Sequence, residues 1–126
     1  MRDGLVGGAV GGVVSGAPST VHALATGGGA LTAARAAGAL LGKPRLGRGL
    51  VAHAGISLGW GAVLGATLPR RHPIAAGAAA GLAIAALDLG LIGRRIPGIA
   101  ALPVAPQVLD HIAFGAAVGV TIAYLD

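Results

Sequence analysis

The distribution of charge constrains this chain more than any other feature. Three stretches, Gly4–Ala34, Gly49–Pro69 and Ile96–Leu109, contain no Asp, Glu, Lys or Arg. A helix in water needs a polar face, and these stretches supply none on any side. The 126 residues include only nine basic and four acidic side chains, a charged share of 10%, against about 25% for soluble domains. Another 24 residues are glycine and 29 are alanine, with one side-chain carbon or none. The chain reads as a single integral membrane domain, residues 1–126, of all-α class: a polytopic bundle.

Four stretches approach the ~20 residues that cross about 30 Å of hydrocarbon. They are Gly4–Ala25, Gly49–Leu68, Ile74–Ile92 and Val108–Leu125. The second and third are joined by a tight basic turn, Pro69-Arg70-Arg71-His72-Pro73, which predicts a helical hairpin. The third and fourth are joined by Gly93–Gln107, where Pro97, Pro103 and Pro106 predict an irregular connection lying at the interface. Between the first two spans, Gly29–Gly42 is Ala- and Leu-rich but short and carries Arg35. An interfacial helix is expected there, with a fifth crossing as the alternative. The first 26 residues end near Ala23-Leu24-Ala25, which resembles a signal cleavage site. However, Asp3 offsets Arg2 and the following run is glycine-rich, so a permanent helix is expected.

Lipid removes most of the hydrophobic drive for helices to associate, so small residues that let backbones approach must supply contact. Gly4, Gly8, Gly12 and Gly16 lie four apart on one stripe of the first helix, and Gly7 and Gly11 on a second. The later helices carry Gly55/Gly59, Gly61/Gly65, Gly77/Gly81 and Gly115/Gly119. Tight GxxxG packing is expected within the chain, and the second glycine face suggests a homo-oligomer or a larger membrane complex.

Ionisable residues inside a bilayer are the default functional candidates. Four antiparallel crossings bring His22, His53, Asp88, Asp110 and His111 to one end of the bundle. Helical spacing puts His111 on the stripe of Gly115 and Gly119, Asp88 on that of Gly81, and His53 with Ser57, Gly61 and Gly65. Asp110 cannot share the direction of His111. Arg35, Lys43, Arg45, Arg48, Arg94 and Arg95 gather at the same end, against Arg2, Arg70 and Arg71 at the other. The positive-inside rule then favours a cytoplasmic polar end, reversed for the first helix if there are five crossings. The proposed ligand or proton site is His53, Asp88, Asp110 and His111 with Arg94 and Arg95. The simpler alternative is that Arg94 and Arg95 staple the two aspartates. His22 and His53 then serve only as interfacial residues, and Trp60 and Tyr124 as packing and belt residues.

Several functions are excluded or set back. There is no cysteine, which removes disulfides, thiolate metal sites and cysteine nucleophiles. The net charge of +5 falls between apolar runs, where it suits anionic headgroups and not nucleic acid. No Walker-type loop occurs. Binding or passage of a small or anionic species at the His/Asp/Arg cluster is the leading reading, and a structural or accessory subunit is the alternative. His53 and His111 are candidates for binding a b-type haem, but three aromatics offer it few walls, so no cofactor is expected. Ser57, one turn from His53 with Asp88 nearby, allows an enzyme to be imagined, but no nucleophile-elbow sequence supports one.

The segments Pro18-Ser19-Thr20, Arg35-Ala36-Ala37-Gly38, His53–Gly61, Leu68-Pro69-Arg70-Arg71 and Asp110–Gly115 resemble small multi-pass membrane proteins of high-GC, actinobacterial-type genomes. More distantly, the order of features is similar to the YagU type of bacterial inner-membrane protein. A glycine-rich opening helix is followed by an Arg-Ala-Ala-Gly linker, a His-led helix, a Pro-rich loop and a final Asp-His-led helix. The chain lacks that type's longer soluble loops. The resemblance implies a multi-helix protein of the inner (plasma) membrane and assigns no activity, so no functional residue is carried over from it.

Overall fold

A computed structural model describes residues 1–125. All of its regular elements are helical, with no strand among the described residues. Helix α1 spans Arg2–Val14 and α2 Ala17–Ala25. Helix α3 spans Thr32–Ala37 and tightens into a 3₁₀ turn, Gly38–Leu41. Helix α4 spans Leu46–Thr67 and α5 Pro73–Leu87. The latter continues as a π-helical segment, Asp88–Ile92, and a 3₁₀ turn, Gly93–Arg95. Helix α6 spans Pro97–Ala100 and α7 Val104–Leu125.

Four helical segments are long and apolar enough to cross a membrane: Arg2–Ala25, Leu46–Thr67, Pro73–Arg95 and Val104–Leu125. That is the makeup of a membrane protein. The outward faces agree, since Val13 and Tyr124 are each 85% exposed and Val21, Leu24, Val51 and Val104 are also exposed.

Local sequence explains the boundaries. Pro18 has no N–H to donate, so the first span breaks at Ser15–Gly16 and resumes as α2 with the proline in its first turn. Helix α2 ends on Gly27 at φ +76, where the Gly28 N–H reaches back to the Ala23 carbonyl at 2.7 Å. This left-handed glycine cap closes the last turn. Leu68 and Ile96, each preceding a proline, are extended and stop their helices. Pro73 and Pro97 then open the next helices, where no N–H is needed.

The same logic corrects one expectation. The fourth span begins at Val104 and not at Val108, because Pro106 sits in its first turn, a position that tolerates proline. A proline read from sequence as a loop signal is therefore part of a helix start.

The packing order runs α4, α1, α7, α5, with α1 and α7 central. Gly4 and Gly8 of α1 meet Gly61 and Gly65 of α4. A Cβ on Gly61 would strike the Gly8 Cα and stand 2.5 Å from the Gly4 carbonyl oxygen, and one on Gly65 would lie 2.5 Å from the Gly4 Cα. Between α5 and α7, Gly77 and Gly115 are so close that a Cβ on either would strike the other's carbonyl oxygen. Gly7 and Gly11 lie against Val118 and Phe114 of α7. The core at the end away from the polar residues consists of Leu64, Leu68, Ile84, Phe114, Val118 and Ile122, the last two fully buried.

Not every glycine is used this way. Gly16, Gly55 and Gly59 have nothing near the place a Cβ would take. Helices α4 and α5, joined by the turn at Leu68–His72, do not bring their backbones close, and meet through the core that Leu64 and Leu68 share with Ile84. The segment Gly29–Gly42 forms only the short α3 and its 3₁₀ turn, too short to cross a bilayer. It packs on the start of α4.

Gly61→Ala is expected to destabilise the bundle by about 1–3 kcal/mol through overpacking. Gly59→Ala, two residues away on an open face, is expected to be neutral or slightly stabilising. Unfolding titrations in mixed micelles compare the two directly.

Candidate functional site

Each of the three main interfaces carries one polar contact at the same end of the bundle. Where α1 meets α4, His53 Nε2 lies 2.6 Å from the Gly12 carbonyl oxygen. A carbonyl only accepts, so Nε2 carries the hydrogen. Gly12 lies in the last turn of α1, where helix ends leave carbonyls without an intrahelical donor. Where the first span meets α7, Asp110 accepts from Ser19 twice: Oδ1 from the backbone N–H at 2.9 Å, and Oδ2 from the hydroxyl in a short contact. Where α5 meets α7, His111 Nε2 lies 3.1 Å from Asp88 Oδ2.

The His111–Asp88 pair has a definite proton inventory. His111 Nδ1 lies 2.7 Å from the Gln107 carbonyl oxygen, so Nδ1 carries a hydrogen. A hydrogen bond between Nε2 and the carboxylate then requires one further proton on that line. Counted to the imidazole it makes a cation beside an anion; counted to the carboxyl it makes two neutral groups. Either way the pair has no net charge. Both side chains are only partly exposed, 21% for His111 and 24% for Asp88.

These groups wall a common space. A small inner cavity of about 130 Å³ is lined by Ser15, His53, Ser57, Asp88, Asp110 and His111, with Phe114 and Ile84 from the core. An outer cavity of about 360 Å³ shares His53, Ile56, Trp60, Asp88, Asp110 and His111 with it. Across its polar end lie Ala33 and Ala37 of α3, Leu40, and Ile99 and Leu102 of the α6 region. Neither cavity has an arginine or lysine in its walls.

Of the residues singled out in the sequence, His53, Asp88, Asp110 and His111 come together. Asp110 points toward the first span while its neighbour His111 points toward α5, yet both line the same space. Arg94 and Arg95 do not join them. Both are exposed on the turn after the π-helical segment, and neither pairs with an aspartate among the described residues. The aspartates are instead held by His111 and Ser19. His22 lines separate cavities beside Pro106 and Gln107, and His72 is exposed in the turn.

Sequence reading missed Ser19 as the partner of Asp110, Ser15 as a wall of the inner cavity, and the cavity-facing side of Trp60, which it gave as a packing residue. Trp60 packs against the core and also walls both cavities. The signal for Ser19 was its position beside Pro18, at a helix break within an otherwise apolar span.

The arrangement disfavours three chemistries. A haem iron needs a free lone pair on each axial imidazole, but both Nε2 atoms already have partners, the Gly12 carbonyl and Asp88. Among the described residues no three His, Cys, Asp or Glu side chains converge to hold a metal ion. Ser57 is buried against Gly12 and makes no hydrogen bond to His53. No family model, no curated protein and no solved structure matches the chain.

In a double-mutant cycle, Asp88→Ala and His111→Ala are expected to couple by about 0.6–1.7 kcal/mol, the range for interhelical hydrogen bonds in membranes. Asp88→Ala with Arg94→Ala or Arg95→Ala is expected to couple within about 0.3 kcal/mol of zero. Folding equilibria in mixed micelles supply both numbers.

Proposed function

We propose that this protein is a membrane-embedded binding protein that takes a small polar group into the cavity walled by His53, Asp88, Asp110 and His111. One observation carries the reading: four titratable side chains from three helices face a single space within an otherwise apolar bundle. Polar groups inside a bilayer are costly and are kept where they serve a site.

Binding is favoured over passage. The inner cavity ends on Phe114 and Ile84, and beyond them Leu64, Val118 and Ile122 are buried in close contact. A relay across the membrane needs polar groups or water through that region, and its side chains are apolar. The cluster also differs from the one read in the sequence, since its charged members are carboxylates and imidazoles and the arginines stay at the rim. Exposed Arg35, Lys43, Arg45, Arg48, Arg94 and Arg95 suit anionic headgroups there. In this reading α3 and α6 lie at the interface and the polar end faces the cytoplasm, following the excess of positive charge. The likeness to the YagU type supports placement in the inner membrane.

The absence of cysteine gives a clean test. Thiols react as thiolates, which need a polar, hydrated setting. Ser15→Cys, on the wall of the inner cavity, is expected to react with N-ethylmaleimide at least tenfold faster than Val13→Cys on the outward face or Leu64→Cys in the core. Equal rates at the three positions would mean that no accessible polar cavity exists, and the binding reading would fail.

A further inference from the structure

We propose that the occupant of this cavity is a single-tailed amphiphile with a cationic head, an alkylammonium in chemical class, which reaches it sideways from the lipid between α4 and α5. The proposal rests on the binding reading above and names its ligand class.

Access comes first. The polar end is covered by α3 and α6, which touch each other, with Gly98 close to the Ala36 side chain. The opposite end is closed by Phe114 and Ile84 over the core. On one side α1 and α7 pack together, and on another α7 and α5 do. Between α4 and α5 the backbones do not approach closely, although Leu64 and Leu68 share the core with Ile84. Ile56 and Trp60 line one edge of that gap, and Ile84 and Leu87 the other. A ligand arriving by this route is dissolved in lipid, and these side chains match a hydrocarbon tail.

Charge selects the head. The His111–Asp88 pair has no net charge as a whole, and His53 gives its Nε2 hydrogen to a backbone carbonyl. Asp110 has its hydrogen-bond partner on both oxygens in Ser19, a neutral residue, and makes no direct contact with a basic side chain among the described residues. With no lysine or arginine in the walls and Asp88 paired to His111, Asp110 is the acid of the cavity that no basic group touches. A carboxyl that no base contacts in a membrane interior calls for a partner, and an ammonium group supplies it. Trp60 adds an indole to the same wall, the ring that attracts cations most strongly. A carboxylate or phosphate head would meet Asp110 and Asp88 with nothing positive to hold it.

Trp60 is the only tryptophan, so its emission reports on the cavity. The test uses the full chain in phosphatidylcholine vesicles, titrated with dodecylamine, 1-dodecanol and dodecanoate, which share a tail and differ in head charge. Dodecylamine is expected to shift Trp60 emission saturably, at a half-saturating concentration at least tenfold below that of dodecanoate, with dodecanol between. Asp110→Asn is expected to weaken the amine at least tenfold. Asp110→Glu, which keeps the charge, preserves the order amine, alcohol, carboxylate, and covers the case in which the asparagine variant does not fold. Asp3→Asn changes nothing. Dodecanoate binding as tightly as dodecylamine, or amine binding indifferent to Asp110→Asn in a folded protein, overturns the proposal. So does silence toward all three amphiphiles. If Ser15→Cys is nonetheless reactive, the ligand class fails while the site stands; if it is not, both fail.

Discussion

Backbone-to-backbone approach at glycine is the constraint on which the other features depend. Gly8 against Gly61, and Gly77 against Gly115, leave no room for a Cβ. Such contacts fix the separation of two helices and also their sliding register, because a shift of one residue would bring a side chain into the seam. Register is what the polar residues need. Gly12 follows Gly8 on α1, and its carbonyl meets His53, two turns from Gly61 on α4. Asp88 follows Gly81 on α5 by two turns, and Gly81 itself lies against the His111 backbone. Gly11 against Phe114 sets α1 beside α7 so that Ser19 arrives at Asp110. In each interface a seam of small residues ends in one polar contact.

The seams also decide where there is no contact. Helix α4 spends its small-residue stripe, Ser57, Gly61 and Gly65, on α1. Helix α5 spends Gly77 and Gly81 on α7. Neither turns its glycine stripe toward the other, so they share core side chains such as Leu64, Leu68 and Ile84 without a backbone seam, and Gly55 and Gly59 face open space. Two helices joined by a five-residue turn therefore separate, and the gap between them becomes the open side of the polar cavity. The void is a consequence of how the close contacts are distributed.

Much of this was legible in one dimension. The uncharged runs located four spans, and the spacing of His53, Asp88 and His111 relative to glycines gave their directions. Partner assignment was not legible. The turn at Pro69–Pro73 announced a hairpin, and adjacency in sequence suggested contact that the glycine stripes award elsewhere. Opposite charge likewise suggested Arg94 and Arg95 as partners of the aspartates. In the fold, His111 and Ser19 lie within hydrogen-bonding distance of carboxylates, and long, strongly hydrated arginines on an exposed turn have no reason to fold inward. Sequence gives the depth of a residue in a span better than it gives the identity of its neighbour.

The backbone irregularities sharpen the functional argument. Within membrane spans, departures from the α-helix are tolerated where they are buried in protein or face a cavity, because lipid cannot satisfy a freed N–H or C=O. Among the described residues the spans have two such places, the break at Ser15–Gly16 and the run from the π-helical segment at Asp88–Ile92 into the 3₁₀ turn Gly93–Arg95. They lie on different helices, far apart in sequence, and both border the same space. The break brings Ser15 and the Gly12 carbonyl to it, and the π-helical segment begins at Asp88. Glycine seams alone would be served equally well by unbroken helices. That both irregularities fall at the cavity, while α4 and α7 run regular past it, marks the polar space left between the glycine seams as the place where the backbone itself departs from the regular helix.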